Sequence, residues 1–242
     1  MIAVILAAGT GSRLMPLTRD IPKTLLKIQE ITLLERMVQN CIFSGIQEYI
    51  IVVGHKKEKV FEEIEYLKQK YGIKIDTVEN KKYDQTNTSF SVFLATKSLD
   101  DEVMIINGDN VVDANIINGL TKLEKTALVV DNHKELNHES FKLRIEDNVI
   151  MEIGKGIDIQ TSTGEFIGIS KVIREDLPLF NEILENLISE DVQNYYDLAY
   201  KELSKKSTID YFFTDGLKWT EIDDKDDWEY AKIIIEEIKS NN

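Results

Sequence analysis

Ile2-Ala3-Val4-Ile5-Leu6-Ala7-Ala8 runs straight into Gly9-Thr10-Gly11-Ser12-Arg13 near the start of a 242-residue chain, and this junction decides the fold class. An unbroken apolar run closed by glycine reads as a strand buried on both faces, as in a parallel sheet covered by helices. Two more runs of this kind follow, Tyr49 to Val53 before Gly54 and Val103 to Ile106 before Asn107-Gly108-Asp109. Between them Leu33, Leu34, Met37, Val38, Cys41 and Ile42 recur at helical spacing, as do Val60, Ile64, Leu67 and Tyr71. Gly45 and Gly72 stand where helix C-caps belong. Ile73 to Val78 alternates as a strand does, and Thr88 to Lys97 reads as a short helix. The alternation predicts an α/β fold: a doubly wound, mostly parallel, Rossmann-like sheet with helices on both faces.

The second half is more mixed. Ala127 to Val130, Phe141 to Ile145, Val149 to Ile153 and Phe166 to Ile169 read as strands, and Glu146-Asp147-Asn148 joins two of them as a small antiparallel β-hairpin insertion. Leu177 to Leu187 and Val192 to Leu203 read as helices, Tyr211 to Phe213 as a late strand, and Trp228 to Ile238 as a closing helix. Neither a repeat nor a break in composition divides residues 1–242, so a single domain is expected.

With 29 Lys and Arg against 43 Asp and Glu, the net charge is −14. Such a surface repels the phosphate backbone of nucleic acids and anionic membranes alike. The lone Cys41 lies on an apolar helical stripe and reads as core; it allows no intramolecular disulfide and no Cys-rich zinc site. His55, His133 and His138 match no metalloenzyme spacing. The apolar opening is too short for a membrane span and lacks a basic leader, so a cytoplasmic protein is expected.

Against this acidic background, Gly9 to Lys27 carries Arg13, Arg19, Lys23 and Lys27 with one acid, Asp20. Placed at the carboxyl end of a buried strand, it sits where open α/β sheets bind ligands. Gly9 and Gly11 let backbone N–H groups approach phosphate oxygens, while Arg13 offers a fork and Lys23 a point charge. A solvated basic loop is the plainer reading of spacing alone. The stretch is neither a dinucleotide fingerprint, since Leu14 replaces the third glycine, nor a P-loop.

Leu6 to Leu14, with Pro16-Leu17-Thr18 and Pro22-Lys23, resembles the signature of the nucleotidyltransferase superfamily. That resemblance implies transfer of a nucleotidyl group from a nucleoside triphosphate to a phosphorylated metabolite, with release of pyrophosphate. It implies nucleotide contacts at Leu6, Ala8, Gly9, Gly11, Ser12, Arg13 and Asp109, and catalytic roles for Arg13 and Lys23. The nucleotide would occupy the half at about 1–112 and the acceptor the half at about 113–242. Asn107-Gly108-Asp109 and Trp219 to Asp223 resemble the family's Mg²⁺ site, which implies metal ligands among Asp109, Glu221 and Asp223. Asp224, Asp226 and Asp227 read instead as an acidic helix start.

Thr86 to Ser89 and Gly164 to Ile169 resemble the phosphocholine cytidylyltransferase-like branch, whose nucleotide is CTP and whose acceptors are small phosphorylated or phosphonylated alcohols. Asn87 is the candidate for base or ribose contact, because an amide offers both donor and acceptor. The resemblance over Glu139 to Lys155 implies acceptor contacts at Lys155, with Glu165 nearby. Tyr195, Tyr196 and Asp197 form an aromatic and acidic cluster suited to a cationic acceptor, or else the tyrosines belong to the core. The expected partners are therefore small-molecule substrates, with no nucleic acid and no membrane, in a monomer or homodimer. A sugar-1-phosphate acceptor, a nucleotide-sugar glycosyltransferase and a non-catalytic nucleotide sensor stay open as other readings.

Overall fold

The computed structural model describes residues 1–240. The chain opens with β1 (Ile2–Ala7), passes through two single 3-10 turns (Ser12–Leu14 and Lys23–Leu25) and a minimal ribbon of β2 (Lys27–Ile28) and β3 (Ile31–Thr32), and enters α1 (Leu33–Phe43). Then come β4 (Glu48–Val53), α2 (Lys57–Tyr71), β5 (Lys74–Glu79), α3 (Thr88–Thr96), β6 (Val103–Asn107), β7 (Asn110–Val112) and α4 (Ala114–Thr121). The second half contains β8 (Ala127–Asp131), β9 (Lys142–Glu146), β10 (Val149–Gly154), β11 (Gly164–Val172), α5 (Leu177–Glu190), α6 (Asp197–Leu203), β12 (Asp210–Phe213), β13 (Trp219–Glu221) and α7 (Lys225–Ser240).

Strands β6, β1, β4 and β5 lie side by side and parallel, as the buried runs predict. β1 is sandwiched on both faces: Ala3, Ile5 and Ala7 join one core with α1, α2, α4 and α7, while Val4 and Ala8 join another with α3, α5 and α6. The chain leaves β1 toward β4 on one side and returns to β6 on the other, so the sheet reverses its winding at the carboxyl end of β1. Ligands of open α/β sheets lodge at that switch point. Gly108 marks how closely β1 and β6 approach there, since a Cβ on it would stand 1.9 Å from the Leu6 carbonyl oxygen.

Beyond β6 the nine-stranded sheet continues through β11, which is antiparallel to β6, β8 and β9. β8 therefore runs in the same direction as β1 and β6, and its carboxyl end opens on the same edge. The β9–β10 hairpin forms as expected, with Asp147 and Asn148 both at positive φ (50° and 62°), the geometry of a tight primed turn. Glu165 pairs with Lys142 and Gly154 pairs with Lys142 across the hairpin, so β10 brings Lys155 back to the carboxyl edge.

The expected helix from Val192 to Leu203 is shorter: helix begins only at Asp197. Asp191 accepts from the Gln193 backbone N–H and from that of Asn194, and the Val192 and Asn194 carbonyls serve the backbone N–H groups of Asn87 and Ser89. Those groups are committed to a turn and are lost to a helical ladder. At α7 the acidic start behaves as capping: the Asp227 side chain accepts from the backbone N–H groups of Asp223 and Asp224, and the Asp224 side chain from those of Asp226 and Asp227.

Candidate active site

The loop after β1 is braced from within. Gly11 adopts φ 62°, its carbonyl accepts from Leu14 N–H at 3.0 Å and from the Thr18 hydroxyl at 2.8 Å, and Arg13 projects from the turn that follows, 70% exposed. Lys23 starts the second 3-10 turn directly after Pro22, and its side chain is only 14% exposed. Its ammonium bridges Asp109 Oδ2 at 2.8 Å and Asp223 Oδ1 at 3.1 Å. Arg13 Nη2 reaches the same Asp223 oxygen at 2.8 Å. A cationic loop and two carboxylates from distant parts of the chain thus meet at one point.

The β7–β13 ribbon brings those carboxylates together. Glu221 pairs in register with Asn110, and Ile222 N–H donates to the Asp109 carbonyl at 3.1 Å, which carries Glu221 and Asp223 to the end of β6. Burial disfavours the Lys23 ammonium, yet Asp109 and Asp223 outweigh it and hold its pKa above the usual lysine value. Burial likewise opposes the Asp223 charge, but Lys23 and then Arg13 hold its carboxyl below the usual range. For Glu221 burial and the neighbouring Asp109 and Asp223 all act in one direction and push its carboxyl up to about 7.

A cleft of about 770 Å³ opens over this cluster and joins a smaller one of about 330 Å³. Every candidate for a catalytic, nucleotide, acceptor or metal contact lines one or both, whereas Arg19 and Lys27 of the basic stretch line neither. Leu6, Ala8, Gly9, Arg13, Asn87 and Asp109 border the larger cleft on the β1 side, and Gly11, Ser12 and Lys23 border the smaller. Lys155, Glu165, Tyr195, Asp197, Glu221 and Asp223 border the larger on its other side. Gly9 faces open space, since a Cβ there would meet no protein atom within 4 Å.

Local bonding refines several of these positions. Asn87 caps α3, its side-chain oxygen accepting from Thr88 N–H at 2.8 Å, which leaves the NH₂ group as the donor it presents. Lys155 Nζ pairs with Glu139 at 3.1 Å and lies 5.7 Å from the centre of the Tyr195 ring. Burial pushes the Asp197 carboxyl up to about 7, opposed by Lys155. The two tyrosines divide: Tyr195 is 48% exposed on the cleft, whereas Tyr196 is fully buried among Phe166 and Tyr200. Trp219 and Trp228 pack against the core, and Cys41 is buried, its thiol pushed by burial up to about 12.

Other cleft residues were not legible in the sequence. Lys134 follows β8, and its ammonium stands 4.9 Å from the Trp219 ring centre and 3.8 Å from Glu165 Oε1. Asn107, quoted in the motif before Asp109 but given no role there, accepts from the Tyr196 hydroxyl at 3.3 Å. The available signal for both was position, directly at or after the carboxyl end of a buried strand.

The donor set suits a hard divalent cation. Asp109 and Asp223 are oxygen donors that share one cation already, and Asp109 Oδ1 is buried without a hydrogen-bond partner. Among the described residues no three His, Cys, Asp or Glu side chains are arranged to hold a metal by themselves. Mg²⁺ does not require that, because it takes one or two carboxylates and completes its octahedron with phosphate oxygens and water.

Residues 2–139 match the family model for nucleotidyl transferase, and the chain belongs to that family, whose enzymes generally use a divalent metal. The choline-phosphate cytidylyltransferase of Streptococcus pneumoniae is 30% identical over 100% of this chain and 99% of its own length. The bifunctional IPC transferase and DIPP synthase of Aquifex aeolicus is 26% identical over 95% of this chain and 50% of its own. Among solved structures, the CTP:phosphocholine cytidylyltransferase of Streptococcus pneumoniae superposes with TM-score 0.80 at 27% identity, covering 97% of this chain and 99% of that one. The inositol-1-phosphate CTP transferase of T. maritima shares the fold with TM-score 0.82 at 20% identity, covering 98% and 96%. No helix among the described residues is long and apolar enough to cross a membrane.

Proposed function

We propose that the protein is a Mg²⁺-dependent cytidylyltransferase that moves CMP from CTP to a small phosphorylated or phosphonylated alcohol and releases pyrophosphate. The observation that carries this reading is the Arg13–Asp223–Lys23–Asp109 cluster at the switch point of the sheet. It supplies cations for a triphosphate and carboxylates for its metal at one place. The full-length similarity to a choline-phosphate cytidylyltransferase supports CTP and this acceptor class.

In this reading the backbone of Gly9, Gly11 and Ser12, flanked by Leu6 and Ala8, holds the triphosphate, and Asn87 donates to the pyrimidine. Asp109 and Asp223 would hold the divalent cation, with Glu221 beside them. When bound, that cation supplies Lewis acidity and a template for the phosphates. An oxygen of the acceptor's phosphate or phosphonate forms a bond to the α-phosphorus in line, while the bond to the bridging oxygen breaks and pyrophosphate leaves. The attacking oxygen is already anionic, so no side chain removes a proton. Arg13 and Lys23 exchange their carboxylate partners for phosphate oxygens and neutralise the charge that gathers there. Lys155, Glu165, Tyr195 and Asp197 orient the acceptor.

The test is pyrophosphate release with each of four nucleoside triphosphates against phosphocholine, aminoethylphosphonate, hydroxyethylphosphonate, inositol phosphate and hexose 1-phosphates. Release with CTP and a small phospho- or phosphono-alcohol, lost in Asp109→Asn, supports the reading. Release with a hexose 1-phosphate alone moves the protein to sugar activation, and nucleotide binding without release makes it a sensor.

A further inference from the structure

The geometry points to Lys134 as the group that binds the acceptor's attacking phosphate, a role distinct from those of Arg13 and Lys23. The inference rests on the cytidylyl-transfer reading above. Arg13, Lys134 and Lys155 are the cations bordering the larger cleft among the described residues. Arg13 is tied to Asp223 at 2.8 Å, beside the Gly-rich loop, and is taken up by the nucleotide. Lys155 is paired at 3.1 Å with Glu139, which is 88% exposed, toward the cleft's outer rim. Lys134 has no carboxylate closer than 3.8 Å, and its charge reaches Glu221, the residue in register with Asn110 next to Asp109. It is therefore the least committed cation of the larger cleft, and the Trp219 ring that it lies over stands two residues before Glu221 on β13.

The protein holds this lysine in place by construction. Its backbone N–H donates to Asp131 Oδ2 at 2.7 Å, and the other oxygen of that buried carboxylate accepts from the Thr214 hydroxyl. Asp131 ends β8, which runs parallel to β1 and β6, so the turn after it projects over the same edge as Gly9 and Asp109. The Trp219 ring lies under the ammonium at 4.9 Å. A cation on an aromatic face keeps its charge with little hydration on that side and remains free to donate to an arriving anion.

Lys134→Met removes the charge and keeps the stem; Lys134→Arg keeps the charge. With CTP saturating and phosphocholine or inositol phosphate as acceptor, the Met variant should raise the acceptor KM by about tenfold to a hundredfold, the worth of one charge-assisted contact. CTP affinity and Tm should not change, and Lys134→Arg should recover most of the loss. An unchanged acceptor KM, or equal weakening of nucleotide and acceptor, overturns the assignment. Titration of inorganic phosphate into CTP-loaded protein judges Lys134 even if neither acceptor turns over. Uptake by the wild type that is lost in Lys134→Met supports the role, and equal uptake in both, or none in the wild type, overturns it.

Discussion

Lys23 Nζ stands 2.8 Å from Asp109 Oδ2, so a cation suited to phosphate and a carboxylate suited to a metal neutralise one another. In the proposed reading, each partner occupies the place of the other's ligand. Lys23→Met should lower kcat on the order of 10²–10³, as for loss of one preorganised electrostatic group. It should also tighten Mn²⁺ binding to protein without nucleotide, because Asp109 loses its resident counter-ion and Asp223 keeps only Arg13. Electron paramagnetic resonance counting of free Mn²⁺ reads this, and unchanged or weaker Mn²⁺ binding would contradict the exchange.

Gly9 and Gly11 should respond differently to alanine. At Gly9 a Cβ meets nothing in the protein, so Gly9→Ala should keep the wild-type Tm while CTP affinity falls by about tenfold to a hundredfold through lost phosphate contact. At Gly11, with φ 62° and Lys23 and Thr18 side chains at 3.0 Å, alanine should cost about 1–2 kcal/mol of stability as well. Paired calorimetry of melting and CTP binding separates the two effects.

Adjacent tyrosines should likewise part company. Tyr196→Ala empties a fully buried site and should cost about 3–5 kcal/mol, read by chemical denaturation. Tyr195→Ala removes an exposed ring and should change stability by no more than about 0.5 kcal/mol. Its effect should appear in the acceptor KM. A large stability loss in Tyr195→Ala would place that ring in the core after all.

Asp197 makes stability depend on pH in a definite direction. Its folded pKa is raised from 3.8 to about 7, so between those values the native state holds a proton that the unfolded chain has released. Stability from this group is present below about pH 4 and declines as pH rises toward 7. Glu221, raised from 4.5 to about 7, acts with the same sign. Asp197→Asn should therefore flatten the fall in Tm between about pH 4 and pH 7 in part. An unaltered slope would show that the carboxyl is not held high.

What could be read in advance was whatever is written locally. Ile2 to Ala8 announces its two buried faces by composition, and Gly9 to Lys23 announces an anion site by charge and glycine spacing. The β7 and β13 strands have three residues each, too few to display a period, and they exist because they pair with each other across the chain. α4 went unassigned for a related reason: its eight residues include Asn115, Asn118 and Gly119, which weaken a helical pattern that the core restores through Ile116, Ile117 and Leu120. Lys134 is one lysine among many until Trp219 and Glu165 are brought beside it. Tyr195 and Tyr196 could not be told apart without knowing where helix α6 begins.

The span of chain joined by one side chain has a consequence during synthesis. Asp223 lies 200 residues after Lys23, yet it completes the cluster that Lys23 begins. A nascent polypeptide that has emerged only as far as Gly216 already contains the parallel strands and the glycine loop, but neither β13 nor Asp223. Arg13 and Lys23 would then lack one of their carboxylate partners, leaving a half-built pocket biased toward bare anions. The cluster is complete only once the last ribbon closes on β7 and sets Asp223 against Lys23, so its assembly waits on the final fifth of the chain.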